Sequence, residues 1–279
     1  MPKSKDNTRL LKAEIRRLRK IVNEHTPSLD VMLRQRGFTI YKKEPSEDLL
    51  VADQKYASAF RSKLKKYSFR LFLRDVIKHQ NSFSLDQVTR FATNQVAAGY
   101  LDFLLTWGIV EPYRGRFRLV NRPLKSFGET LEWFVAGLIR EDFETEAVWS
   151  VKFKRPKIGG DYDVIAKLDS SLLYMEIKSS PPRQIFDRGI TAFLDRVEEL
   201  SPEISIFFMD TELRMKDKIV PMFEEELLRR YKKRVPVTRI VKELFHINKK
   251  IFIINAKGGI SSNINTVFTF LWHKKFEID

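Results

Sequence analysis

Two short runs in the second half of the chain hold acids and a lysine at spacings that suit phosphate chemistry. The first is Gly159-Gly160-Asp161-Tyr162-Asp163-Val164-Ile165-Ala166; the second is Leu172-Leu173-Tyr174-Met175-Glu176-Ile177-Lys178-Ser179. In a β-strand successive side chains point to opposite faces. The second run then offers Leu173, Met175 and Ile177 to a core and Tyr174, Glu176 and Lys178 to the other side. In the first run Asp161, Asp163 and Ile165 share a face. The link Leu168-Asp169-Ser170-Ser171 is short enough for a hairpin, and antiparallel pairing brings Asp163 near Glu176 and Lys178. Two carboxylates at such range repel each other. A hard divalent cation, Mg2+ or Mn2+, held by Asp163, Glu176 and the backbone carbonyl of Ile177, makes the arrangement tolerable. Such an ion lowers the pKa of a bound water and stabilises charge on phosphate oxygens during in-line displacement. Lys178 is then expected to hold or activate the attacking water.

These residues resemble the PD-(D/E)XK superfamily, the restriction-endonuclease-like nucleases. Asp163 matches the family's first acidic position and Glu176-Ile177-Lys178 its Glu-x-Lys, and the apolar Val164-Ile165 after the aspartate also fits. The resemblance spans most of residues 127–279. It implies Mg2+-dependent hydrolysis of phosphodiester bonds in DNA, and a preceding helix that turns a glutamate to the site. Gly128-Glu129-Thr130-Leu131-Glu132-Trp133-Phe134 fits that helix; Glu132, ahead of an apolar run, is favoured as a further metal and catalytic residue, with Glu129 as the fallback. The helix after the Glu-x-Lys places Gln184, Arg188 and Arg196 along the substrate channel. Many members cut both strands as dimers, so a homodimer is among the expected states. Against this stands a plainer reading, solvent-facing charges on an edge hairpin. Val164, Ile165 and Ile177 argue for central strands instead, where unpaired carboxylates are costly.

The elements that position these runs form an α/β (α+β) domain over residues 124–279, entered at Pro123. The expected order is a helix over 127–142, strands over 146–155, 161–168 and 171–178, a helix over 184–200, a strand over 203–210, a helix over 216–233, then strand and helix to the end. A mixed central sheet flanked by helices follows. Lys257-Gly258-Gly259 after the apolar strand Ile251–Asn255 reads as a strand-to-helix turn. Glu224-Glu225-Glu226 reads as a solvated face. Arg229 to Arg234 fits a helix C-terminus, where cations are favoured, as well as it fits a phosphate contact.

Ahead of it, residues 51–123 read as helix (57–79), a capping box at Ser84-Leu85-Asp86-Gln87 opening a short helix to about Ala92, and a longer helix capped by Thr93 or Asn94 and ended at Gly108. A basic hairpin around Arg114-Gly115 follows. This order resembles a winged helix-turn-helix domain. By that resemblance Thr93, Asn94 and Gln95 face base edges, and Arg114, Arg116 and Arg118 meet phosphates. Residues 1–50 read as a basic arm whose helix, over 7–24, either contacts DNA, dimerises or packs on the next domain.

Charge supports a polyanionic partner. Of 51 Lys and Arg and 36 Asp and Glu, residues 1–126 hold 26 and 12, and residues 127–279 hold 25 and 24, so nearly all of the net +15 lies in the first half. A concentrated positive field attracts phosphates through counterion release. The chain has no cysteine, and His25, His79, His246 and His273 are scattered, which disfavours zinc. No run is apolar enough to span a membrane and the N-terminus is polar, so a cytoplasmic, intracellular protein is expected. Two other functions fit the same residues: a non-catalytic DNA-binding protein with a vestigial nuclease fold, such as a regulator or assembly factor, and an RNA-processing nuclease.

Overall fold

The computed structural model describes residues 14, 17, 18, 21, 25–45, 47–50, 54–88, 91–154, 156–179, 181 and 187–273. Most of the helix expected over 7–24 lies outside these, as does Gln184. Among the described residues no helix is long and apolar enough to cross a membrane.

An eight-stranded mixed sheet forms the centre. Its strands are β1 (Ile40–Lys42), β4 (Ala147–Phe153), β5 (Tyr162–Leu168), β6 (Ser171–Lys178), β7 (Ile204–Met209), β8 (Thr238–Val241), β9 (Leu244–Ile247) and β10 (Ile251–Asn255), in the order β1-β4-β5-β6-β7-β10-β9-β8. β6, β7 and β10 run parallel; the remaining neighbours are antiparallel. The expected hairpin is present, Leu168 facing Ser171 across the turn. β5 and β6 are buried on both faces, which explains their near-continuous apolar sequence.

Helices cover both faces. Helix α5 (Gly128–Asp142) and α8 (Ile260–His273) pack on the face carrying Val164, Leu173, Met175 and Phe208. Helices α1 (Leu29–Gln35), α6 (Asp187–Leu200) and α7 (Ile219–Tyr231) cover the opposite face, with Ile165, Tyr174, Phe207 and Phe223. Glu226 corrects the expectation of a solvated acidic face: it is buried on α7 and accepts from Arg229 and Arg230 at 2.7 Å, which holds its carboxyl down at about 2. Lys257-Gly258-Gly259 is a stapled turn. The Asn263 amide donates to the carbonyls of Asn255 (2.7 Å) and Lys257 (3.0 Å).

The N-terminal unit contains α2 (Gln54–Leu64), α3 (Tyr67–Lys78), one 3-10 turn (Leu85–Gln87), α4 (Asn94–Thr106) and the hairpin β2 (Val110–Tyr113) and β3 (Arg116–Leu119). The single helix expected over 57–79 is in fact two. Lys66 is extended, and the Arg70 guanidinium donates to the Leu64 carbonyl at 2.6 Å, satisfying a group that the break leaves without a helical donor. Of the short helix expected from Leu85 to about Ala92, the described residues form one 3-10 turn over Leu85–Gln87, with Gln87 accepting from the Ser84 N–H at 3.0 Å. Thr93 caps α4, its hydroxyl accepting from the Val96 N–H. Phe60, Leu73 and Leu104 of this unit belong to the same continuous core as Leu131, Met175 and Phe268.

The candidate active site at the carboxyl ends of the parallel strands

The candidate site lies where β6, β7 and β10 end and β5 begins, the end of an open α/β sheet at which ligands bind. The β4–β5 ladder pairs Trp149 with Val164 and Val151 with Tyr162; between these pairs stand Ser150 and Asp163. Ser150 has φ +48°, a left-handed conformation that a side chain disfavours. The alternation breaks there. Trp149 faces the α5 side, whereas Val151, two residues on, faces the α6 side. Tyr162 and Val164 likewise part to opposite faces, so the regular alternation expected for Asp161, Asp163 and Ile165 does not hold through Asp163. The break frees the aspartate from the ladder. Its Oδ2 accepts the Ile177 N–H at 2.6 Å, a side chain standing where strand pairing would otherwise continue.

On β6 the regular pleat does hold. Tyr174, Glu176 and Lys178 share the α6 face, and Glu176 is 2% exposed. Lys178 Nζ donates to Glu176 Oε1 at 2.5 Å and the Tyr174 hydroxyl donates to Oε2. Arg196, from α6, donates through Nη1 to Oε2 at 3.0 Å and Oε1 at 3.2 Å. Arg196 lies beneath Gly160: a Cβ at that glycine, which has φ +101°, would stand 2.5 Å from Nη2. Glu199, one turn further along α6, fastens the same loop. It accepts from the Lys157 N–H at 2.6 Å, the Ile158 N–H at 3.2 Å and the Tyr162 hydroxyl at 2.9 Å.

The acids strain against one another. Burial, then the charge of Glu176, pushes the Asp163 carboxyl up to about 7, despite the relief from Lys178 and the Ile177 N–H. Glu132 of α5 is raised well above the usual carboxylate range, by burial first and then by Asp163, Glu129, Glu176 and Asp161. Glu129 is raised too, by burial and by Asp48. For Lys178 burial disfavours the ammonium, but Asp163 and Glu176 outweigh it and the net direction is up. Lys178 is therefore a fixed positive charge at neutral pH. Asp163 is an acid poised to change protonation near neutrality, and Glu132 is held well above the usual carboxylate range. Among the described residues, no three His, Asp or Glu side chains are gathered closely enough to hold one metal ion.

Asp163, Glu176 and Lys178 thus come together, with Glu132 within electrostatic reach. Arg188 is exposed in the first turn of α6. Thr93, Asn94 and Gln95 are exposed at the start of α4, well separated in sequence from the acids. Arg114 is exposed over the Tyr113 ring, and Arg116 donates to Gln87 at 2.5 Å. Arg118 is tied inside the hairpin, to Glu111 at 2.6 Å and over Tyr113. Sequence reasoning missed two participants. Tyr174 sits two residues before Glu176, so the strand period alone puts it on the same face. Asp210 ends the apolar run of β7. It is fully buried, its N–H donates to the Lys178 carbonyl at 2.9 Å, and its carboxylate meets Arg70 (2.7 Å) and Arg74 (2.5 Å) of α3.

No protein-family model matches the chain, and no curated protein does. Solved structures do resemble it. Can2 from Sulfobacillus thermosulfidooxidans, in complex with cyclic tetra-adenylate, superposes with a TM-score of 0.51 at 13% identity, over 88% of this chain and 60% of its own. Protein VC1899 from Vibrio cholerae gives 0.46 at 15% identity, over 89% and 62%. This chain therefore spans about three fifths of the length of either. The likeness to Can2 is one of fold: a large mixed sheet flanked by helices.

Proposed function

We propose that this chain is a metal-dependent endonuclease of the PD-(D/E)XK type that hydrolyses phosphodiester bonds in DNA. The observation that carries the reading is the break at Ser150 and Asp163. It frees one carboxylate from a central strand and turns it toward Glu176 and Lys178 at the ligand-binding end of the sheet. A carboxyl whose proton affinity is raised by burial and by a neighbouring charge, as at Asp163, destabilises a fold, and such groups concentrate at functional sites.

The donor set suits Mg2+ or Mn2+ in kind, since Asp163, Glu176, the Ile177 carbonyl and Glu132 all offer hard oxygens. The ion would supply a water of lowered pKa and stabilise charge on the phosphate. Lys178, held protonated, stabilises the charge that develops on the phosphate oxygens rather than acting as a base. Asp163 would hold the ion in its ionised form, which the cation's charge favours. The helix, turn, helix and hairpin of residues 67–119 are assigned as a winged-helix reader. Asn94 and Gln95 would meet bases, Arg114 and Arg116 would meet phosphates, and Thr93 and Arg118 would brace them. Arg70 and Arg74 anchor this unit beside Lys178 through Asp210.

One observation favours a second reading, a non-catalytic nucleic-acid binder: the acids of the described residues do not form a ready three-carboxylate cage. A cleavage panel of linear, circular, single-stranded and branched DNA, with single-stranded RNA and cyclic tetra-adenylate alongside, separates the readings. Asp163→Ala and Lys178→Ala are expected to lower Mg2+-dependent DNA cleavage by about a thousandfold or more while leaving DNA affinity within about twofold. Cleavage that survives both substitutions, or that proceeds without divalent metal, overturns the mechanism. Preference for RNA overturns the substrate.

A further inference from the structure

We propose that Arg196 is a positioning residue that occupies Glu176 until a divalent ion arrives, then releases it and turns to a phosphate of the bound nucleic acid. The inference rests on the function proposed above and concerns the same site. A carboxylate offers about four lone-pair positions. Glu176 accepts four hydrogen-bond contacts from three donors: Lys178 Nζ and Arg196 Nη1 on Oε1, and the Tyr174 hydroxyl and the same Arg196 Nη1 on Oε2. An ion can reach this carboxylate only by displacing a donor.

Arg196 is the donor best built to leave. Tyr174 is fully buried and Lys178 is fixed on the same strand as Glu176, two residues away. Arg196 reaches in from a different element, α6, and its hydrogen bonding is incomplete: Nε is buried without a partner. A guanidinium is weakly hydrated and its planar fork matches phosphate, so transfer from carboxylate to phosphate keeps it paired. Gly160 holds the space. With no side chain above Nη2, the guanidinium has a place beneath the loop that leads directly to Asp161 and Asp163. The loop is fastened independently by Glu199, so it need not follow when Arg196 moves.

The test uses the full chain with Arg196→Gln and Arg196→Lys. Mn2+ is titrated by calorimetry without nucleic acid, and DNA cleavage is then measured at saturating Mn2+. The Gln variant is expected to bind Mn2+ about tenfold more tightly than the wild type, because a competing cation has gone, yet to cleave about a hundredfold more slowly. The Lys variant, which keeps the charge but loses the fork, falls between on both scales and serves if the Gln variant does not fold. A merely structural arginine would weaken metal binding and cleavage together. Mn2+ affinity unchanged or weakened in the variants, with the wild type active, overturns the role of Arg196 alone. A wild type that neither binds Mn2+ nor cuts DNA overturns the proposed function itself.

Discussion

Replacing Asp163 by asparagine should stabilise the metal-free protein, and do so only when the pH is high enough. The ordinary aspartate value is 3.8, and burial with the charge of Glu176 lifts it to about 7 in the folded chain. The folded state therefore holds a proton more tightly than the unfolded state does. As pH rises past about 4 the unfolded chain ionises freely while the folded one resists. The folded state loses about 1.4 kcal/mol per pH unit until the penalty levels off above about 7, at about 4 kcal/mol. Asparagine keeps an oxygen to accept the Ile177 N–H but carries no charge, so it removes the penalty. Between pH 5 and pH 8 the advantage of the variant should grow by about 2–3 kcal/mol, or about 3–5 °C in melting temperature for a chain of this size. Scanning calorimetry in chelator at the two pH values measures it. Saturating Mn2+ should narrow the gap by stabilising the wild type alone. An advantage equal at pH 5 and pH 8, or an Asp163→Asn variant less stable than wild type at pH 8, refutes the reasoning that the aspartate is held against its charge.

Two further perturbations address the N-terminal unit. Asp210→Ala leaves Arg70, 1% exposed, and Arg74 without their carboxylate; a loss of about 3–5 kcal/mol in urea unfolding is expected, and a loss below about 1 kcal/mol contradicts the bridge. Arg114→Ala combined with Arg116→Ala should weaken binding of duplex DNA and reduce the slope of log affinity against log salt by about 2, with Mn2+ affinity unchanged. An unaltered salt slope removes the hairpin from the nucleic-acid interface.

What the sequence made legible was order and period. Alternation in Leu173 to Lys178 assigns β6 and its two faces, and the short Leu168–Ser171 link assigns the hairpin. The elements from 127 to 209 follow in the expected order. Local patterns do not carry what depends on residues far apart. Nothing in Trp149-Ser150-Val151 announces that the strand turns over at Ser150, because the same letters continue a regular pleat equally well. Glu226 reads as solvated beside two other glutamates until Arg230, bridging to Asp195 at 2.5 Å, closes over it. The break at Lys65-Lys66 is invisible because lysine suits a helix, and only the distant packing of Arg70 shows why the backbone departs there. Arg196 and Glu176 lie twenty positions apart on different elements. The sequence therefore suggests that Arg196 belongs near the site without revealing that it grips Glu176.

The core that joins the N-terminal helices to the sheet has its own consequence. Phe60, Leu73 and Leu104 share one apolar interior with Val164, Met175 and Phe252, so among the described residues the packing runs continuously across Pro123. Heating should produce one cooperative endotherm rather than two. Either half expressed alone would bare a broad oily surface and aggregate, so the N-terminal helices and the central sheet are obliged to fold, turn over and be degraded as a single piece.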